Sequence, residues 1–161
     1  MLDVGCGGGL AAEAMAKRGS LVTGIDVSPE MLKTAKLHAQ ESKLNVTYSQ
    51  SHAEVFATKH ACEFDVVTCF EMIEHVPDPM QTLSALSQLV RPGGWLVIST
   101  INRTLKAYLG AVLVAEYILN WVPKGTHDYN RFIKPSEVAA GLRPEGLDVE
   151  SIEGLVYQPL Y

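Results

Sequence analysis

Short apolar runs alternate with helix-period stretches along most of this chain. Leu2-Asp3-Val4 reads as the end of a buried parallel strand, and it runs straight into Gly5-Cys6-Gly7-Gly8-Gly9. Over residues 10–18, Leu10, Ala11, Ala14 and Met15 recur at helical spacing, and Gly19 stands where a left-handed C-terminal cap belongs. A second apolar run with β-branched members, residues 21–25, closes on Asp26. Ser28-Pro29-Glu30 is a helix start: a hydroxyl N-cap, proline at the first helical position and an early acid. Met31, Leu32, Ala35 and Ala39 give that helix its buried stripe as far as about Glu41. Residues 45–49 alternate as a strand, with Ser51-His52-Ala53-Glu54 as a loop after it. Residues 64–70 (FDVVTCF) form the next buried strand. Asp78 and Pro79 start a helix with Met80, Leu83, Leu86 and Val90 on its inner face. Arg91-Pro92-Gly93-Gly94 is a turn, and residues 95–101 (WLVISTI) are the strand beyond it.

The alternation stops at Asn102. Apolar residues, among them Leu105, Leu109, Leu113 and Trp121, nearly encircle the helix predicted over 102–122. Lys106, Gly110, Glu116 and Asn120 interrupt it, so it is too short and too broken for a membrane span. A buried helix and an amphipathic lid lying on a membrane surface both fit this pattern. A short helix follows around 137–142, residues 147–152 alternate as a late strand, and Leu155-Val156-Tyr157 begins another. The order of elements predicts one α/β domain over residues 1–161: a mostly parallel, Rossmann-like sheet with helices on both faces. Residues 102–127 are an insertion in it. Because the chain opens in mid-strand and stops in a hairpin, a lead-in helix and further C-terminal strands are expected to be missing.

Composition narrows the class of partner. Thirteen basic against eighteen acidic residues give a net charge of −5, which offers nothing to a nucleic-acid backbone. The three cysteines, Cys6, Cys62 and Cys69, are odd in number and lack metal or redox spacing, which points to a reducing compartment.

Strand, glycine loop, helix, strand and acid arrive in that order over residues 1–26, which is a nucleotide-type cradle. Glycine is required where the backbone must touch a ligand or turn tightly. Asp26 closes the second strand, where a carboxylate can accept hydrogen bonds from both hydroxyls of a ribose. The dinucleotide fingerprint needs a third glycine where this chain has Leu10, and no G-x-x-x-x-G-K-[ST] loop for a nucleoside triphosphate is present. LDVGCGGG resembles motif I of the class I methyltransferases, which bind S-adenosylmethionine (SAM). That resemblance implies a glycine loop passing under the methionine part and a strand-end acid on the ribose. It also implies that the loop after the third strand, with Ala53 and Glu54, lies beside the adenine.

Glu71-Met72-Ile73-Glu74-His75 leaves the strand 64–70 at the edge where open α/β sheets bind their ligands. Glu71, Glu74 and His75 could hold a divalent ion such as Mg²⁺, which would lower the pKa of a bound phenol. Alternatively His75 acts alone as a general base, or the two acids are solvated loop residues and His75 packs or caps. The run EMIEHVPDP, followed by NRT-x-KAY, AEYIL and VPKGTHD, resembles the ubiquinone-biosynthesis O-methyltransferases from Leu2 to about Pro159. The resemblance implies SAM-dependent methylation of polyprenyl catechols and hydroquinones, 2-polyprenyl-6-hydroxyphenol and 3-demethylubiquinol. By position it places Gly5, Asp26 and Phe70 on the cofactor, with Cys6, Gly7, Val27, Ala53 and Glu54 as neighbours. It puts Glu71, Glu74 and His75 on the Mg²⁺ positions of eukaryotic members, with His75 and Glu71 as catalytic candidates. Its insoluble substrate favours the lid, docked on a membrane surface through 102–127. Other ubiquinone-biosynthesis proteins are implied as partners. The expected place is the inner membrane, on the cytoplasmic side in a bacterium or the matrix side in a mitochondrion. A methyltransferase of another small molecule and a non-catalytic SAM-binding scaffold are the alternative functions.

Overall fold

The computed structural model describes residues 1–104 and 131–154. Five strands form one parallel sheet in the order β3-β2-β1-β4-β5: β1 (Leu2–Val4), β2 (Val22–Asp26), β3 (Val46–Gln50), β4 (Phe64–Phe70) and β5 (Val90–Ser99). The crossovers carry α1 (Leu10–Ala16), α2 (Pro29–Glu41), α3 (Ala53–Ala57) and α4 (Pro79–Leu89), and α5 (Pro135–Leu142) packs later against α4.

Side chains alternate across each strand, so the sheet feeds two cores. Leu2, Val4, Ile25, Val67 and Cys69 face the side that carries α3, α4 and α5, where Leu83, Leu86 and Leu89 are fully buried. Cys6, Val22 and Tyr48 face the other side with Ala12, Leu32, Ala35 and Ala39 from α1 and α2. Helices therefore cover both faces, as the pattern predicts.

Local chemistry sets the helix ends. Ser28 Oγ accepts the Met31 N–H at 3.2 Å with Pro29 in the first turn, and Asp78 Oδ1 accepts those of Met80 and Gln81 at 3.0 Å each. Past α1, Gly19 (φ +90) donates to Ala16 and Ser20 to Met15, the paired bonds of a Schellman closure.

Several expectations need correction. Leu10 is 76 % exposed, and α1 buries Ala12 and Glu13 instead. Met31 and Met80, expected on the buried stripes of α2 and α4, are exposed in the first turns of those helices. Arg91-Pro92-Gly93-Gly94 lies within β5 as a bulge: Phe64 pairs with Val90, but Val66 pairs with Trp95. Residues 147–152 form no strand. Leu155-Val156-Tyr157 and nearly all of the segment 102–127 lie outside the described residues. Among the described residues no helix is long and apolar enough to cross a membrane.

Candidate active site

The strand order reverses between β1 and β4. The chain passes from β1 outward to β2 and β3, then crosses to β4 on the other side of β1. Diverging connections open a crevice beyond the carboxyl ends of those strands, where open α/β sheets bind ligands. The glycine loop lies at that edge. Gly5, Gly7 and Gly9 adopt φ of +71°, +50° and +86°, a region that side chains with a Cβ rarely enter. The amides of Gly5 and Cys6 both donate to the Ile25 carbonyl, at 2.9 and 3.0 Å, which draws the loop over β2. A Cβ on Gly5 would stand 2.5 Å from Met72 Cγ, and one on Gly9 2.4 Å from the Tyr48 hydroxyl. The loop is thus held close between Met72 and Tyr48.

Asp26 ties this loop to the next helix. Its Oδ2 accepts the Gly7 N–H and its Oδ1 the Ser28 N–H, both at 2.8 Å. A carboxylate offers about four acceptor positions, so each oxygen keeps one for a ligand hydroxyl. Leu10, Val27, Met31 and Phe70, all within a few residues of these strand ends, remain exposed. Apolar side chains left in water at one sheet edge suit a ligand with an apolar ring or thioether. Cys6 is buried, and desolvation, followed by the charges of Asp3 and Asp26, pushes its thiol up to about 12. Ala53, also buried, opens α3, a five-residue helix where the sequence reads as a loop. Glu54 Oε1 accepts the Thr82 hydroxyl at 2.6 Å, which ties α3 to α4.

The residues after β4 do not converge. Glu71 is exposed with φ +48, its N–H donates to the Ser99 carbonyl at 3.0 Å, and its Oε1 accepts the Ser99 hydroxyl at 2.6 Å. Glu74 is 3 % exposed, and its Oε2 accepts the Thr100 hydroxyl at 2.9 Å. His75 is exposed, and its N–H closes a turn onto the Met72 carbonyl at 2.9 Å. Among the described residues no three His, Cys, Asp or Glu side chains gather to hold a metal ion. As placed, Glu71, Glu74 and His75 do not fit the Mg²⁺ site that the resemblance implies.

Sequence reasoning passed over several residues here. Asp3, 2 % exposed, lies beneath the loop, and burial raises its pKa despite the Thr68 hydroxyl that Oδ1 accepts at 2.7 Å. Its Oδ2 is buried with no hydrogen bond of good geometry, although the Ala12 N–H beside the carboxyl offsets part of the effect of burial. Ser99, Thr100, Tyr48 and Met72 are placed by strand pairing and packing that no local pattern encodes. A shallow groove of about 320 Å³ between α2 and the end of β3, lined by Leu32, Lys33, Lys36 and Leu37, includes none of the predicted site residues.

Residues 2–98 match the family described as a methyltransferase domain. The chain is 58 % identical over 160 residues to the ubiquinone biosynthesis O-methyltransferase of Saccharophagus degradans, covering 99 % of this chain and 68 % of that protein. It is 55 % identical to the protein of that name from Thiobacillus denitrificans, covering 99 % of this chain and 69 % of that protein. Among solved structures, magnesium protoporphyrin IX methyltransferase from Synechocystis with bound SAH shares the fold. The TM-score is 0.70 at 22 % identity, over 93 % of this chain and 64 % of that one. A protein solved for the conversion of a disulfide bond into a thioacetal group in echinomycin biosynthesis is 26 % identical, with a TM-score of 0.70 over 87 % of this chain and 59 % of that one. The chain therefore spans about two thirds of the curated relatives it matches. Identity above one residue in two along almost all of its length fixes its descent: the chain belongs to the ubiquinone biosynthesis O-methyltransferase family of class I methyltransferases.

Proposed function

We propose that the chain transfers a methyl group from SAM to a hydroxyl of a polyprenyl catechol or hydroquinone. The observation that carries this reading is the Asp26 carboxylate, fixed by two backbone amides beside a glycine loop of positive φ. A ribose diol is the ligand that this acceptor suits, and the exposed apolar residues around it suit an adenine and a thioether. When bound, SAM supplies an electrophilic methyl on a sulfonium, which an oxygen nucleophile displaces in line. The protein's residues orient the two partners and manage one proton. Orientation at near-attack distance is worth several kcal/mol of barrier, up to about 7–11 in the best intramolecular cases. His75 is the base: its exposed imidazole follows β4 at the ligand edge and takes the proton of the phenol. No step is assigned to a divalent ion.

The first test is calorimetric titration with SAM of the parent and of Asp26→Ala. Loss of a charged acceptor costs about 1.5–3 kcal/mol, so SAM affinity is expected to fall about tenfold to a hundredfold. No SAM binding by the parent, even with the upstream segment of its relatives fused on, overturns the reading. With binding established, transfer of label to a prenylated catechol separates a catalyst from a SAM-binding scaffold. A panel of unprenylated phenols separates this substrate class from others.

The membrane surface enters the same proposal. A polyprenyl substrate resides in the bilayer, and the apolar sequence between Lys106 and Lys124, within 102–127, suits contact there. Co-sedimentation with anionic liposomes is expected to drop on Leu109→Glu plus Leu113→Glu. Undiminished co-sedimentation of a folded double variant refutes the contact.

A further inference from the structure

We infer that Ser99 and Thr100 are positioning residues, whose hydroxyls hold Glu71 and Glu74 as struts that seat Met72 over Gly5. This inference rests on the methyltransferase reading and deepens it. It gives the two acids a geometric task in place of metal binding.

The pairing of β4 with β5 puts Phe70 opposite Ser99, so the chain leaves both strands at the same level. Glu71 is the first residue beyond β4, and it takes a left-handed conformation at φ +48 without being glycine. Ser99 supports that conformation from both sides of the peptide. Its carbonyl and its hydroxyl oxygen both accept the Glu71 N–H, at 3.0 and 3.2 Å, while the same hydroxyl donates to Glu71 Oε1 at 2.6 Å. This closed ring of bonds joins one side chain to both ends of its partner. The turn it imposes carries Met72 back across the crevice, where Cγ lies 2.5 Å from the position of a Cβ on Gly5. The residue that the sequence places on the cofactor is thus packed by a side chain whose direction Ser99 sets through Glu71.

Thr100 repeats the arrangement one residue on, donating to Glu74 Oε2 at 2.9 Å. The carboxylate held by Ser99 is in solvent, and the one held by Thr100 is buried next to Ile73, itself 0 % exposed. A Mg²⁺ ion binds oxygens at about 2.0–2.1 Å. One carboxylate bonded to Ser99 in solvent and one bonded to Thr100 in the interior do not converge to meet that demand.

Replacement of each group by Ala and by its nearest isostere, with SAM titration and turnover as readouts, tests the assignment. Ser99→Ala and Glu71→Ala are each expected to weaken SAM binding at least fivefold at unchanged circular dichroism, and the double variant no more than the worse single. Ser99→Thr and Glu71→Gln, which keep the hydroxyl donor and the carbonyl acceptor, are expected to recover most of that loss. Thr100→Ser is expected to recover what Thr100→Val loses. Recovery by Gln is the readout that a metal ligand would not give, because an amide oxygen binds Mg²⁺ far more weakly than a carboxylate. The inference is overturned if Ser99→Ala binds SAM like the parent. It is equally overturned if Glu71→Gln is as impaired as Glu71→Ala and added MgCl₂ raises the parent's activity but not the variant's. If the parent binds no SAM even with the upstream segment of its relatives fused on, the methyltransferase reading falls first and takes this inference with it.

Discussion

The two buried thiols close to the glycine loop are held in their neutral forms by burial. Cys6, in the loop, and Cys69, at the end of β4, are both buried, and desolvation lifts each thiol to about 12 from an ordinary value near 9. Neighbouring carboxylates add to the effect: Asp3 and Asp26 for Cys6, Glu74 and Asp3 for Cys69. The thiolate is the nucleophile, so neither residue is set up for chemistry, and Cys62 alone is exposed. Iodoacetamide at pH 8 is expected to label the native protein at Cys62 only and the unfolded protein at all three cysteines, read by intact mass. Labelling of native Cys6 at the rate of Cys62 contradicts the burial. The linkage runs the same way. An acid with a raised folded pKa keeps its proton in the native state, so stability is lost as pH climbs from about 9, where the unfolded chain ionises first. None of this was legible in the sequence. Cysteine carries no mark of its burial, and the Thr68 hydroxyl that meets Asp3 comes from 65 residues along the chain.

Elements were legible where a repeat ran long enough or a cap residue was unmistakable. The starts of α2 and α4 follow from Ser28-Pro29 and Asp78-Pro79, because each supplies an acceptor for orphan amides and a preset φ. Strand β4 is continuous and apolar, and its limits are those that the sequence predicts. Helix α3 escaped because five residues are too few to show a 3.6-residue period. Residues 147–152 alternate in polarity and still form no strand, since alternation describes a half-buried surface only when a partner strand supplies the pairing. At Leu10, Met31 and Met80 the helical spacing is real, but each residue lies in the first turn of its helix at the ligand edge of the sheet, where the core does not enclose it. The candidate site divides in the same way. The loop and Asp26 are local in sequence and were readable. The hydroxyls that take Glu71 and Glu74 lie across β5 and became visible only once the strands were paired.

At the scale of the whole molecule, the crevice joins the two halves of the sheet. The β1, β2 and β3 side contributes the glycine loop and Asp26, and the β4 and β5 side contributes Phe70, Met72 and the Ser99 ring. Strands β1 and β4 lie between them, with Leu2, Val67 and Cys69 at 0 % exposure, while β3 ends the sheet among the described residues with Thr47 and Gln50 in solvent. Amides of β1 and β4 should exchange only when the whole domain opens, and those of β3 through smaller openings. A ligand that binds the native state alone stabilises against global opening by RT ln(1 + [L]/Kd), about 2.7 kcal/mol at a hundred times Kd. Hydrogen exchange with SAM at that excess is therefore expected to slow β1 and β4 amides by about a hundredfold, in both halves alike. The β3 amides, which open without disturbing the crevice, are expected to slow much less. Protection confined to the glycine loop, with β4 unchanged, would mean that the β4 side opens while SAM stays bound to the other half. In that case the Met72 and Ser99 side takes no part in holding the cofactor.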